Sequence, residues 1–261
     1  RLGVETVALN AMLDPEKITR TQEEFDRSLH HLSAIARSLS AGFGVMMDTG
    51  GEKIFLIDEK GDVLSDWAAL QIICLLICRK RRNGSVGVPV TASRNIEKIA
   101  AKFGMDVVRS RTLPRSLVET AARDGVIFVG DGNGGYVFPR FQPAFDGMFA
   151  IVKLMELLAG EERALSDVLR EIPPTAFVQK KIPCPWEHKG TLMRLVSDHA
   201  KGKPSQFIDG VKIFHGEDWA LIYPSQDEAY FHLCVEAEDR RNAEGIAFEY
   251  MELFSSWSKG L

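Results

Sequence analysis

Three short loops of this sequence carry residue types that could do chemistry. The first lies in GVMMDTGGEKIFLIDEKG, residues 44–61, where an apolar run ends on Asp48, crosses Gly50 and Gly51, and continues through Glu52 and Lys53 into a second apolar run. Mg²⁺ takes oxygen ligands in octahedral geometry, so several carboxylates have to converge on it. Asp48 and Glu52 could contribute, Gly50 between them has no side chain to offer, and Lys53 brings a positive charge beside the pair. A hairpin turn with solvated acids explains the same spacing. The second loop is in GDGNGGYVF, residues 130–138. Its glycines let a ligand approach the backbone closely, and Asp131 and Asn133 could hydrogen-bond sugar hydroxyls. A phosphate-cradling loop needs a helix N-terminus next, and the strand-like YVF follows instead, so that idea fails. A plain turn is the competing reading. The third is YPSQDEAYFHL, residues 223–233, where Ser225 could donate to an anion while Asp227 and Glu228 would repel one. It contains no lysine or arginine and reads by itself as a solvated turn.

These loops need a scaffold, and the hydrophobic pattern supplies one. VETVALN reads as a short strand, and TRTQEEFDRSLHHLSAIARSLS as an amphipathic helix with Phe25, Leu29, Leu32, Ile35 and Leu39 on one face. Thr21 followed by Glu24 is a capping box at its start. His30 and His31 are adjacent on that helix and point about 100° apart, so they form no ligand pair. Two strands then bracket the first loop. A buried helix over about residues 66–82 follows, and then strands alternate with helices, which argues for an α/β layer with mainly parallel pairing. QPAFDGMFAIVKLMELLAG reads as one long, largely buried helix. After the prolines of REIPPTAFVQKKIPCPW come one helix, three short strands in a meander, and a last helix from about residue 239 to 257, an α+β arrangement.

Composition narrows the class. The chain has 261 residues, 45% hydrophobic and 26% charged, with net charge −4. The negative balance argues against sequence-independent nucleic-acid binding, and no apolar run approaches the ~18 residues of a membrane span. Cys74, Cys78, Cys184 and Cys234 form no CxxC pair and read as packed free thiols, as expected in a reducing cytoplasm. Arg1 rather than Met opens the chain, which suggests a fragment of a longer polypeptide.

Taken together and in this order, the three loops resemble those of the α-D-phosphohexomutase superfamily, the phosphomannomutases, phosphoglucomutases and phosphoglucosamine mutases. The stretch at Asp48 resembles the metal loop, GDGNGGYVF the sugar loop, and YPSQDEAYFHLCVEAED the phosphate loop. The resemblance is closest to mutase-like regions fused behind a sugar nucleotidyltransferase, such as a mannose-1-phosphate guanylyltransferase. It implies three-layer α/β domains followed by a C-terminal α+β domain with an antiparallel sheet. Residues 1–62 would be the end of the second mutase domain, 63–172 the third and 173–261 the fourth. It further implies an intramolecular phosphotransferase of carbohydrate metabolism, acting on mannose or glucose phosphate with Mg²⁺. The implied substrate contacts are Asp131, Asn133, Arg115 and Ser225, and the metal ligands Asp48 and Glu52.

Each loop departs from the family pattern. Gly50 and Glu52 stand for the second and third aspartates and Lys53 for an arginine. Asp131, Asn133 and Gly135 replace glutamate, serine and histidine. Tyr223, Gln226 and Asp227 replace arginine, glycine and threonine, so Ser225 alone survives and phosphate should be repelled. Metal binding is therefore expected to be weak or absent, with Lys53 beside Asp48 or Glu52, and the fragment inactive. VTASRN, residues 90–95, resembles the active-serine motif, but that serine belongs to the family's first domain, so Ser93 reads as a helix cap and the nucleophile is expected upstream of Arg1. The partners implied are a hexose phosphate and the missing N-terminal region, with no nucleic acid or membrane and with oligomerisation open. The alternative is a non-catalytic sugar-phosphate sensor or assembly module.

Overall fold

The computed structural model describes residues 3–11, 19, 21–161 and 163–258. The expected strand over VETVALN does not form: this stretch carries no regular structure, and Val4 and Val7 are exposed with no strand paired to them among the described residues. Helix α1 (Gln22–Ser38) starts at the capping box, with Thr21 Oγ accepting from Glu24 N–H and Glu24 Oε2 accepting from Thr21 N–H. It packs on a hairpin of β1 (Gly44–Met47) and β2 (Ile54–Ile57), where Phe25 meets Phe55 edge-on at 4.7 Å. Arg37 Nε donates to Lys60 O at 2.8 Å and clips the helix to the turn after β2. His30 and His31 are both exposed.

Helix α2 (Asp66–Lys80) is buried without interruption from Ala69 to Cys78, which is why its sequence is apolar on all sides. Cys74 and Cys78 are free thiols 3.9 Å apart inside it. Next come β3 (Ser85–Pro89), α3 (Asn95–Lys102), β4 (Asp106–Ser110), α4 (Pro114–Ala121), β5 (Val126–Gly130), β6 (Tyr136–Phe138), β7 (Gln142–Phe145), α5 (Gly147–Leu158) and α6 (Leu165–Arg170). The sheet order is β4-β3-β5-β6-β7. β4, β3 and β5 run parallel, and β6 and β7 add antiparallel strands at one edge, so the sheet is mixed. Alternating side chains feed two cores. Val86, Val88, Phe128 and Tyr136 join the core of α2, α3 and α5, while Val129 and Val137 pack with Leu117 and Ala121 of α4.

QPAF is therefore strand and not the start of the long helix. β7 is the sheet's edge strand, where Pro143 removes no needed donor. α5 begins only after Asp146, whose carboxylate accepts from Phe149 N–H at 2.8 Å, and it leaves Met148 and Val152 exposed.

The last part holds β8 (Ala176–Pro183), α7 (Lys189–His199), β9 (Ser205–Gln206), β10 (Val211–His215), β11 (Asp218–Pro224), β12 (Tyr230–Ala237) and α8 (Arg240–Ser258). Its antiparallel sheet has the order β8-β12-β11-β10-β9. Ala220, Ile222, Leu233 and Val235 point toward α7 and α8. Trp219, Leu221 and Cys234 point the other way and pack with Val90, at the end of β3. The antiparallel sheet thus lies on the carboxyl edge of the parallel strands, the edge at which open α/β sheets bind ligands.

Candidate functional site

The first two loops meet at the carboxyl end of β5. Asp48 Oδ1 accepts the N–H groups of Glu52 (2.9 Å) and Lys53 (3.0 Å), which closes the turn between β1 and β2. Asp131 Oδ1 does the same for Asn133 (2.6 Å) and Gly135 (2.8 Å). The two turns are stitched together by a Lys53–Gly135 bridge and by Ile54 N–H donating to Gly134 O at 2.9 Å. Gly134 has φ +82, and an added Cβ would lie 2.7 Å from Ile54 O, so this approach requires glycine. Lys53 Nζ stands 3.5 Å from Asp131 Oδ2. That corrects the expectation for Lys53: its ion pair is with the second loop and not with Asp48 or Glu52.

Asp66, at the start of α2, completes the cluster. Burial, then the Asp131 charge, push its carboxyl up to about 6, against the pull of Lys53. The Tyr136 hydroxyl is buried without a hydrogen-bond partner, and burial followed by Asp131 and Asp66 raises its pKa far above the ordinary value. The donor set does not fit Mg²⁺. Asp48 has one oxygen committed to two backbone donors, Gly50 has no carboxylate, and Lys53 carries its charge to Asp131. Among the described residues no group of three or more His, Cys, Asp or Glu converges on one point.

Beside this cluster lies a cleft of about 700 Å³ between the mixed sheet and the antiparallel sheet, lined among others by Trp67, Gln71, Ser93, Phe177 and Glu236. Gly132 packs directly on the Trp67 ring, which connects the sugar-type loop to the cleft. Ser93 is not the N-cap of α3, a place taken by Arg94. Its Oγ accepts from Asn95 N–H at 3.0 Å and donates to Glu236. Glu236, only 4% exposed, also accepts from Arg94 N–H (3.0 Å) and Trp219 Nε1 (2.6 Å). A carboxylate from β12 therefore occupies the amino end of α3, where the helix dipole favours an anion. Lys212, 2% exposed, donates to Val90 O at 2.9 Å and lies 3.6 Å from the Trp219 ring centre. Burial, then Arg109, bring its pKa down to about 7.

The remaining expected residues fall elsewhere. Arg115, in the first turn of α4, has its side chain 89% exposed and pairs with Glu119 at 2.8 Å. It stays in solvent and does not join Asp131 and Asn133. Asn133 is exposed, and its side-chain amide has no hydrogen-bond partner among the described residues. Ser225 follows the end of β11, six residues from Trp219 and about 20 Å away at strand spacing, so the third loop is remote from the Glu236 cluster. Two cations absent from that loop's own sequence reach it. Lys189 Nζ donates to Ser225 O and Glu228 O, both at 2.6 Å, and Lys181 lies 3.7 Å from Glu228. Two lysines thus stand beside the acids Asp227 and Glu228 of this loop. The sequence signal for these lysines is the basic run of VQKKIPCPWEHKG, some forty residues upstream.

Residues 68–176 match the family model described as phosphoglucomutase/phosphomannomutase, alpha/beta/alpha domain III. A probable phosphoglucosamine mutase of Methanosarcina barkeri is 30% identical over 247 residues, 94% of this chain and 55% of that protein. The phosphoglucosamine mutase of Methanococcus vannielii is 26% identical over 251 residues, 94% of this chain and 56% of that protein. The family-model match and these relatives place the similarity in the α-D-phosphohexomutase superfamily. Its fold agrees with a phosphoglucomutase/phosphomannomutase family protein of Burkholderia thailandensis at TM-score 0.77 and 17% identity, over 88% of this chain and 50% of that one. It is also similar, at TM-score 0.56 and 12% identity, to Aspergillus fumigatus N-acetylphosphoglucosamine mutase, whose structure is in complex with GlcNAc-6P and magnesium; the match covers 80% of this chain and 48% of that one. The chain spans about half the length of the curated relatives that it matches.

Proposed function

We propose that this chain is the C-terminal portion of a phosphohexomutase-like protein and that, by itself, it binds a hexose phosphate without isomerising it. The observation that carries the reading is the docking of the Asp48 turn onto the 131–135 turn through Lys53, at the carboxyl edge of β5 and beside the cleft. The Asn133 amide and the Lys53 ammonium would meet sugar hydroxyls and an anionic group there, while Asp131 holds the turn in shape. Phosphoryl transfer depends on positioned charge, and the Asp48 turn lacks the carboxylates for a cation, so binding outlasts catalysis in this reading. The phosphoglucosamine mutases among the relatives favour an aminohexose phosphate over the mannose or glucose phosphate expected from the sequence.

A second reading, a sugar-phosphate-sensing or assembly module of a larger protein such as a nucleotidyltransferase fusion, draws on the buried Glu236 contact, which braces the two sheets against movement. Titration of glucosamine 6-phosphate, glucose 1-phosphate and mannose 1-phosphate against thermal unfolding tests the binding proposal, since a ligand of the native state must raise the melting temperature. No shift at millimolar concentration of any of the three overturns it. A coupled mutase assay on the full-length protein separates the two readings: turnover at ordinary mutase rates sinks the sensor.

A further inference from the structure

A pocket of about 270 Å³ opens at the opposite edge of the mixed sheet, where the parallel strands begin. Its floor is apolar: Ile127 at the start of β5, Phe138 of β6 and Leu157 of α5. Its rim holds Lys80, Arg81, Arg140 and Lys153 against a single acid, Glu156. Lys80 is already engaged, donating to Glu156 O at 2.5 Å, and Lys153 bonds the Glu156 carboxylate at 2.7 Å. Arg81 and Arg140 are exposed and have no ion-pair partner among the described residues.

At the mouth, Phe141 lies flat on Phe149, with ring centres 4.0 Å apart and planes 6° apart. Phe149 is closed off beneath by Phe138, edge-on at 5.3 Å. Phe141 is 57% exposed, so the stack ends in one open aromatic face. A hydrophobic ring left in water stands beside two exposed guanidinium groups, Arg140 and Arg81, and Arg81 meets only the Glu156 charge that Lys153 and Lys80 already share, so the rim makes two matched demands, a planar π-system for the ring and an anion for the arginines. We propose that this pocket is a second ligand site, which takes a nucleoside phosphate with its base stacked on Phe141 and its phosphates held by Arg81 and Arg140. An aromatic anion of this class satisfies both halves of the rim, its base on the open Phe141 face outside the recess. Ile127 is four residues from Asp131, about 13 Å along the strand, so the site is separate from the hexose-phosphate site and does not depend on it.

The test is isothermal titration of ADP, GDP, adenosine and inorganic phosphate into the chain at low salt. ADP or GDP should bind with Kd on the order of 100 μM, and adenosine and phosphate each at least about tenfold more weakly, since each meets only half of the site. Phe141→Ala should weaken the nucleotide about tenfold and leave phosphate unchanged. The pair Arg81→Gln and Arg140→Gln should weaken it more and flatten its salt dependence. All three positions are on the surface, and unchanged circular dichroism verifies folding; Lys153→Gln is a further variant with the same expected direction. No heat from either nucleotide at about 5 mM, phosphate binding as tightly as ADP, or full affinity in Phe141→Ala overturns the proposal. Glucosamine 6-phosphate titrated into the same variants should behave as in the parent chain. Absence of glucosamine 6-phosphate binding in the parent chain counts against the hexose-phosphate site and leaves this one standing, whereas its loss only in these variants, or competition between the two ligands, overturns the second site.

Discussion

Replacing Glu236 with alanine should weaken the contact between the two five-stranded sheets more than any other single change in the site. The carboxylate accepts three hydrogen bonds, from Ser93 Oγ, Arg94 N–H and Trp219 Nε1, and after Glu97 it is the second negative charge that acts on buried Lys212. A donor left without a charged acceptor costs about 1.5–3 kcal/mol, so three would approach 5–9 kcal/mol if the site stayed dry. It will not stay dry, because Ser93 and Glu236 both line the 700 Å³ cleft and water can enter from there. The expected loss is therefore about 3–5 kcal/mol, the range for breaking a buried charged contact by removing one partner. Glu236→Gln retains an acceptor oxygen for Arg94 and Trp219 and can donate to Ser93, so it should lose only about 1–2 kcal/mol. Urea unfolding followed by tryptophan fluorescence reads both variants, since Trp219 reports on its own partner. Equal losses for alanine and glutamine, or a loss under about 1 kcal/mol for alanine, would refute the assignment of this carboxylate as the anion at the amino end of α3.

Lys212 has an ordinary pKa of 10.5 and a folded one of about 7, so the unfolded chain binds the extra proton between these values and stability rises with pH across that window and is lost below it. The gap is worth at most about 5 kcal/mol; urea midpoints at pH 6.5, 8 and 9.5 should climb, and Lys212→Met should flatten the climb. Asp66 behaves oppositely: its carboxyl, raised from 3.8 to about 6, favours folding below 3.8, and that advantage disappears as pH rises through 6. Asp66→Asn should accordingly stabilise at pH 7 by about 1–3 kcal/mol and have no effect at pH 3.5; a loss at pH 7 would contradict this. Gly134→Ala should cost about 1–3 kcal/mol and weaken hexose-phosphate binding, because its Cβ meets Ile54 O; unchanged affinity would show that the two turns need not dock. Arg115→Ala should alter stability by less than about 0.5 kcal/mol and leave hexose-phosphate affinity unchanged, as expected of an exposed ion pair.

Local rules carried much of the fold. Thr21 and Glu24 specify their capping box within four residues, and the alternation of β10, β11 and β12 specifies a meander with one face for helices. The uninterrupted apolar run of α2 requires burial on all sides, and it is so buried. Local pattern failed where a neighbour decides. VETVALN has strand composition but no strand beside it among the described residues, and QPAF looks helical from its apolar neighbours but pairs with β6. The candidate site divides in the same way. Asp48 and Asp131 could be read as loop carboxylates because each organises the turn in which it sits. The destination of Lys53 could not be read, since its partner is 78 positions away and the choice between Asp48, Glu52 and Asp131 is settled by how two turns pack. Lys181 and Lys189 reach the Ser225 loop, and Glu236 reaches Ser93, through contacts that no short window contains. Secondary structure and turn chemistry are short-range and reside in the sequence itself; the pairing of buried charges depends on which segments share a desolvated space, and only the tertiary structure decides that.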